Sequence, residues 1–187
     1  MSASMKPTIS RVRADQWRQL RDSRLEALRD PLAPLAFLET YEERQHMPDE
    51  FWQERAAGAA EGSAISQWVA EVDGEWVGTV VVLTFRAGAR DYYGNTVTVD
   101  RANLVGVYIQ PDSRRAGLLE QLIDAAAAWA ADMGFTALQL DVHPDNVAAI
   151  KAYLRCGFVD TGERVPYGDT ADVVMRLGLD ARANRAL

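Results

Sequence analysis

The run VYIQPDSRRAGLLEQLIDAAAAWA, residues 107–130, constrains this chain more than any other stretch. A β-prone segment breaks at Pro111, passes through Arg-Arg-Ala-Gly, and becomes an alanine- and leucine-rich helix that is expected to start near Arg115. A helix that begins at such a turn exposes backbone N–H groups with no internal partner. Those groups and the partial positive charge of the helix end suit an anion, above all a phosphate. Gly117 carries no Cβ to keep a bulky anion from the backbone, and Arg114 and Arg115 add charge beside it. The alternative is a solvated turn whose arginines only face water, and the rest of the chain has to choose between them.

The order of elements supplies the fold class. Ile9–Val12 reads as a first strand, and Asp15 as the cap of a helix carrying Trp17, Leu20, Leu25 and Leu28, stopped by Asp30-Pro31. Two short helical pieces broken at Pro48 follow. QWVAEV and EWVGTVVVLTF, joined by Asp73-Gly74, predict a hairpin. RAGARDYYGNT reads as a loop and TVTVDRANLVGVYIQ as a strand. The long helix ends at Gly134, TALQLDV is a strand, NVAAIKAYLRC a helix stopped by Gly157, and FVDTGERVPY with ADVVMRLGL a closing hairpin. Strands interleaved with helices give an α/β or α+β domain: a mixed, mostly antiparallel sheet of six to seven strands with helices on both faces. A length of 187 residues fits a single domain, with a core over about 9–177 and tails at 1–8 and 180–187.

Composition then narrows the function. With 20 basic against 27 acidic residues the net charge is −7, which argues against a nucleic-acid partner. One cysteine, Cys156, allows no internal disulfide, and His46 and His143 have no metal-ligand spacing, so no metal is expected. No run approaches the length of a membrane span, and the first ten residues lack an apolar signal core. The expectation is a reduced, cytoplasmic setting with no membrane partner.

Strand, proline, Arg-x-x-Gly, long helix, Gly-Phe, strand and HPDNVAAIKAYLRCGF, taken together, resemble the GCN5-related N-acetyltransferase (GNAT) family. The resemblance is close over 104–158 and looser, in element order, from Ile9 to Leu177. It implies an acetyl-CoA-dependent N-acetyltransferase. In that family a motif Q/R-x-x-G-x-G/A at the helix start holds the diphosphate of acetyl-CoA. Arg114 and Gly117 match its first two places, and Leu119 stands where glycine or alanine is usual. Leu119 either crowds the diphosphate or turns into the core with Ile123 and Ala126, and the apolar face they share favours the core.

The resemblance implies a cofactor-binding set of Arg114, Arg115, Ala116, Gly117, Leu118 and Leu119 for the diphosphate. Val107, Tyr108 and Ile109 would pair backbone groups with the pantetheine arm, and one of those N–H groups would steady an oxyanion. Asn146 would bond the pantetheine, cap its helix, or both. Tyr153, seven residues after Asn146 and followed by Gly157-Phe158, is the expected general acid toward the departing thiolate; a packed core tyrosine is the alternative.

No base is evident. Family members often carry a glutamate where this chain has Asn103, and Asp141, His143 and Glu71 are the remaining candidates, unless proximity alone suffices. Phe37, Tyr41, Tyr92 and Tyr93 stand where the acceptor is walled in the family, or else serve a surface or dimer contact, and a homodimer stays open. Cys156 reads as a packing residue. A small-molecule amine is the favoured acceptor. A protein N-terminus or lysine is the first alternative, and a non-catalytic acyl-CoA-binding module the second.

Overall fold

The structure, a computed structural model, describes residues 6–180. The expected tails lie largely outside the described residues, although Thr8 already belongs to the first strand. A seven-stranded sheet runs in the order β1-β2-β3-β4-β5-β7-β6. Its strands are β1 Thr8–Arg11, β2 Ile65–Val72, β3 Glu75–Phe85, β4 Arg101–Ile109, β5 Ala137–Val142, β6 Val159–Tyr167 and β7 Thr170–Gly178. All neighbours are antiparallel except β4 and β5. The helices are α1 Trp17–Ala27, α2 Ala33–Ala36, α3 Tyr41–Arg44, α4 Asp49–Glu61, α5 Leu118–Asp132 and α6 Val147–Arg155.

Period-two alternation in the central strands sends side chains to two cores. Ala70, Val80, Val82, Leu104, Leu138 and Leu140 pack against Leu122, Ile123 and Ala126 of α5 and Tyr153 of α6. On the other face Val69 packs with Trp17 and Leu20 of α1 and Trp52 and Ala56 of α4. The mixed sheet with helices on both faces is thus observed.

Three local expectations need correction. The helix expected from Asp15 begins at Trp17: Ala14–Gln16 is a 3-10 turn in which the Gln16 side chain accepts the Arg13 N–H at 3.0 Å. Asp15 pairs instead with Arg13 Nε at 3.1 Å. The strand expected from Thr96 begins at Arg101. Val97 hydrogen-bonds back to Gly88 and Ala89, so the β-prone Thr-Val-Thr-Val run closes a loop on itself, and Asp100 fixes its end by accepting the Ala87 N–H at 2.9 Å. The helix expected near Arg115 begins at Leu118, because Arg115 and Gly117 both take left-handed φ, +67° and +72°, which no α-helix accepts.

Candidate active site

Among the described residues, the only parallel pair of the sheet is also where it opens. β4 and β5 pair at Ala102↔Leu138 and Asn103↔Gln139 and then part. From there toward its carboxyl end, the edge of β4 that faces β5 has no partner strand among the described residues, while β5 continues along β7 to Val142. Both helices that follow these strands begin at their carboxyl ends, so the N-termini of α5 and α6 flank one cleft. Crevices at the carboxyl ends of parallel strands are where α/β sheets bind ligands.

β4 is bent within the cleft. Val81 faces Val105 and Thr79 faces Tyr108, so Val80 stands opposite both Gly106 and Val107. Two residues against one is a bulge, and it turns backbone groups out of the ladder. Gly106 makes the bulge possible: its φ is +59°, and a Cβ there would lie 3.2 Å from the Val81 side chain. Of the three residues expected to serve the pantetheine arm, Val107 is in the bulge, while Tyr108 and Ile109 still pair with Thr79 and Gly78.

The turn after β4 is held from both sides. Tyr108 Oη donates to Glu26 at 3.3 Å, and burial with that carboxylate pushes its pKa up to about 12. Gln110 donates to the other Glu26 oxygen at 3.1 Å. Arg114, expected at the diphosphate, donates from Nε to the Ile109 carbonyl at 3.0 Å and forms an ion pair with buried Asp30. It therefore ties the turn to the segment that follows α1, and its charge is already matched. Arg115 is exposed and has no carboxylate partner among the described residues.

Among the described residues, the backbone N–H groups from Arg115 to Glu120 have no acceptor; the first bond of the helix runs from Gln121 to the Gly117 carbonyl. Leu118 is buried, Leu119 is half-buried against the core, and Ala116 and Gly117 are exposed. The Leu119 side chain thus follows the apolar face and leaves its N–H at the helix end. A Cβ on Gly117 would meet no protein atom within 4 Å, so the space beside it is open. Gly117→Ala should cost about 1 kcal/mol through its left-handed φ alone, a loss read directly by thermal melting.

Asn146 caps α6, its Oδ1 accepting the Ala149 N–H at 3.2 Å. Tyr153, on the same helix, lies 5.8 Å from the Phe158 ring, centroid to centroid. Its hydroxyl makes no hydrogen bond within the described residues, and burial raises its pKa above the ordinary tyrosine value. Cys156 is buried, which pushes its thiol up and keeps it protonated, as a packing residue should be.

On the opposite face, the loop between β3 and β4 covers the row formed by Asn103, Gln139 and Asp141. Asn103 donates to Tyr92 Oη at 2.9 Å, and Tyr92 donates to Asp141 at 2.6 Å. Tyr93 donates to Asp172 at 2.9 Å. Burial raises the pKa of Asp141, against the Tyr92 hydrogen bond and the Arg101 charge that lower it. The other base candidates are placed differently. His143 accepts the Asp145 N–H through Nδ1 at 3.1 Å, and Glu71 lies on β2 opposite Thr8 and Trp76, away from the parting of β4 and β5.

Of the remaining aromatics, Phe37 lies under Arg24 at 4.3 Å and Tyr41 under Arg29 at 4.1 Å, both to ring centroids. One feature has no signal in the sequence. Arg24, Arg44 and Arg55, from three different helices, converge on Glu39 at 2.8, 2.9 and 3.4 Å. Their spacing along the chain follows no motif, and only the packing of α1, α3 and α4 brings them together.

Comparison with known proteins agrees with this geometry. The model of the acetyltransferase (GNAT) family matches residues 17–158. An aminoglycoside N(6')-acetyltransferase type 1 from Stenotrophomonas maltophilia is 36% identical over 95 residues, which cover 51% of this chain and 59% of that enzyme. The match therefore spans little more than half of the relative. A GNAT acetyltransferase from Streptococcus pneumoniae superposes with a TM-score of 0.72 at 17% identity, over 92% of this chain and 99% of that one. A PaiA N-acetyltransferase from Thermoplasma acidophilum, solved in complex with coenzyme A, gives 0.70 at 17% identity, over 93% and 99%. At those identities the likeness is one of fold, and the family rests on the match across most of the chain: this protein belongs to the GNAT acetyltransferase family.

Proposed function

We propose that this protein transfers an acetyl group from acetyl-CoA to the primary amine of a small molecule. The observation that carries the reading is the cleft between β4 and β5, with a bulged strand on one wall and the unpaired N–H groups of Arg115 to Glu120 at its mouth. These residues fit acetyl-CoA, which supplies a thioester activated for acyl transfer. The free N–H groups and Arg115 take the diphosphate, with Gly117 allowing close approach. The partnerless edge of β4 takes the amides of the pantetheine arm as an added strand would. A backbone N–H at the Gly106–Val107 bulge faces the carbonyl oxygen as negative charge builds on it.

The amine nitrogen attacks the thioester carbonyl, the C–N bond forms, and the C–S bond breaks. A tyrosine is protonated at neutral pH in any case, and burial holds Tyr153 further in that form, so its hydroxyl donates to the sulfur as the thiolate leaves. The proton lost by the amine goes to Asp141, directly or through water, and Tyr92 with Asn103 sets the orientation of that carboxylate. A small-molecule acceptor is favoured over a peptide because the loop carrying Tyr92 and Tyr93 is bonded down onto Asp141 and Asp172, which closes the cleft to an extended chain. The aminoglycoside N(6')-acetyltransferase relative supports a small amine as well.

Thiol release from acetyl-CoA across a panel of small amines and peptides tests the reading. Release with at least one small amine is expected, and release with peptides only would overturn it. Tyr92→Phe adds a pH test. Losing a hydrogen bond that lowers the Asp141 pKa moves that pKa further up, so the acid limb of kcat/KM shifts to higher pH; an unmoved limb removes Asp141 from the role of base.

A further inference from the structure

Arg114 is the last anchored point before the open N–H groups at the mouth of the cleft. Its own N–H is bonded to the Pro111 carbonyl at 3.3 Å, and among the described residues the next N–H bonded within the protein is that of Gln121. Between them Arg115, Ala116 and Gly117 are exposed, and Arg115 stands at a φ of +67°. A residue with a Cβ holds such a φ only where its surroundings impose it. What imposes it lies one residue back.

Arg114 donates from Nε to the Ile109 carbonyl at 3.0 Å and from Nη2 to Asp30 Oδ2 at 2.5 Å. The Asp30 side chain is 7% exposed, and its other oxygen accepts the Leu32 N–H at 2.9 Å, so the carboxylate is itself fixed in the segment after α1. Glu26, four residues earlier, takes Tyr108 and Gln110 in the same way. Two carboxylates at the end of α1 therefore hold three side chains of the stretch from Tyr108 to Arg114. An arginine that met the diphosphate would have to abandon Asp30 and leave a buried carboxylate without its charge partner. Where it stands, Arg114 supplies geometry rather than charge.

We infer that Asp30 is a positioning residue for acetyl-CoA: through Arg114 it fixes the turn in which Arg115 and Gly117 aim the open N–H groups at the diphosphate. The inference rests on the acetyl-transfer reading for the identity of the ligand, but the turn binds coenzyme A whether or not transfer follows. Groups held in place before the ligand arrives bind it without the cost of ordering the loop. Apparent affinity then falls with the fraction of molecules that hold the turn. If Arg114 were instead a ligand of the diphosphate, the sign would reverse. Freed from Asp30, it would add charge at the helix end and tighten binding.

Calorimetric titration of coenzyme A onto the parent, Asp30→Asn, Arg114→Gln and the double variant tests this. Asparagine keeps an oxygen for the Leu32 N–H and loses only the charge that holds Arg114, so the variant should fold. Asp30→Asn is expected to weaken coenzyme A roughly 10-fold. In thiol release the loss should appear in KM for acetyl-CoA rather than in kcat. The double variant should bind no worse than the weaker single one, because both changes break one contact. Should Asp30→Asn melt too low to titrate, Arg114→Lys carries the same test. It keeps the charge and loses the two-sided contact, so positioning predicts a loss close to that of Arg114→Gln, whereas a direct phosphate contact predicts affinity near the parent's. Unchanged or tighter binding in Asp30→Asn, or single losses that add in the double variant, would overturn the inference and leave acetyl transfer standing. The expected losses with no thiol release for any amine would uphold the positioning and overturn the transferase reading. A parent that binds no coenzyme A would overturn both.

Discussion

Tyr153→Phe should lower kcat by about 10²- to 10⁴-fold, the range expected when a positioned proton donor is removed, with the dissociation constant of acetyl-CoA nearly unchanged. The hydroxyl makes no hydrogen bond within the described residues, so the folded chain loses nothing it was using. The ring still packs beside Phe158 and fills the same space in the core. Stability should therefore stay within about 1 kcal/mol of the parent. A steep fall in turnover with an unchanged melt and unchanged acetyl-CoA titration assigns the hydroxyl to the departing sulfur. A fall of less than about threefold would remove Tyr153 from the chemistry and leave it as a core aromatic.

The second large effect concerns stability. Burial alone would raise the Glu39 pKa, but Arg24 and Arg55, with hydrogen bonds from Arg24 and Arg44, bring it down to about 2 from an ordinary 4.5. A carboxyl whose folded pKa is depressed stabilises the fold above its unfolded pKa and loses that contribution as pH falls through the folded value. The contribution is thus complete at neutral pH and disappears between about 4.5 and about 2. After discounting for partial exposure it amounts to about 2 kcal/mol.

Glu39→Ala goes further, because three guanidinium groups are left facing one another. A loss of about 2–3 kcal/mol, or roughly 5–10 °C in Tm, is expected at pH 7. Glu39→Gln should flatten the acid side of the stability profile over the same pH window. Denaturant melts at pH 7 and pH 3 check both. If Glu39→Ala melted like the parent, Glu39 would not be what holds the three arginines together.

Much of what depends on neighbours along the chain was readable from the sequence, although the Ala14–Gln16 turn and the left-handed Arg115 were not. Asp73-Gly74 produces its hairpin because both residues tolerate the left-handed backbone a tight turn requires, with φ of +53° and +83°. The apolar face of α5, the stop at Gly134, the cap at Asn146 and the place of Tyr153 beside Phe158 all follow from spacing within one helix or turn. Where local propensity stood alone it failed. Thr96–Asp100 has the composition of a strand but folds back on Gly88 and Ala89, whose backbone groups Val97 engages instead of a strand of the sheet. Arg114 fits a diphosphate motif by position, yet Asp30, 84 residues away in the chain, engages its guanidinium.

The sequence by itself determined the family and the order of most elements, because helix period, turn chemistry and capping act over a few residues. Tertiary structure alone decided where the sheet parts, where β4 bulges, that Asp141 meets Tyr92 and Asn103, and that three arginines gather on Glu39. Each of these is a contact between distant segments, set by how strands and helices pack rather than by what any one segment prefers.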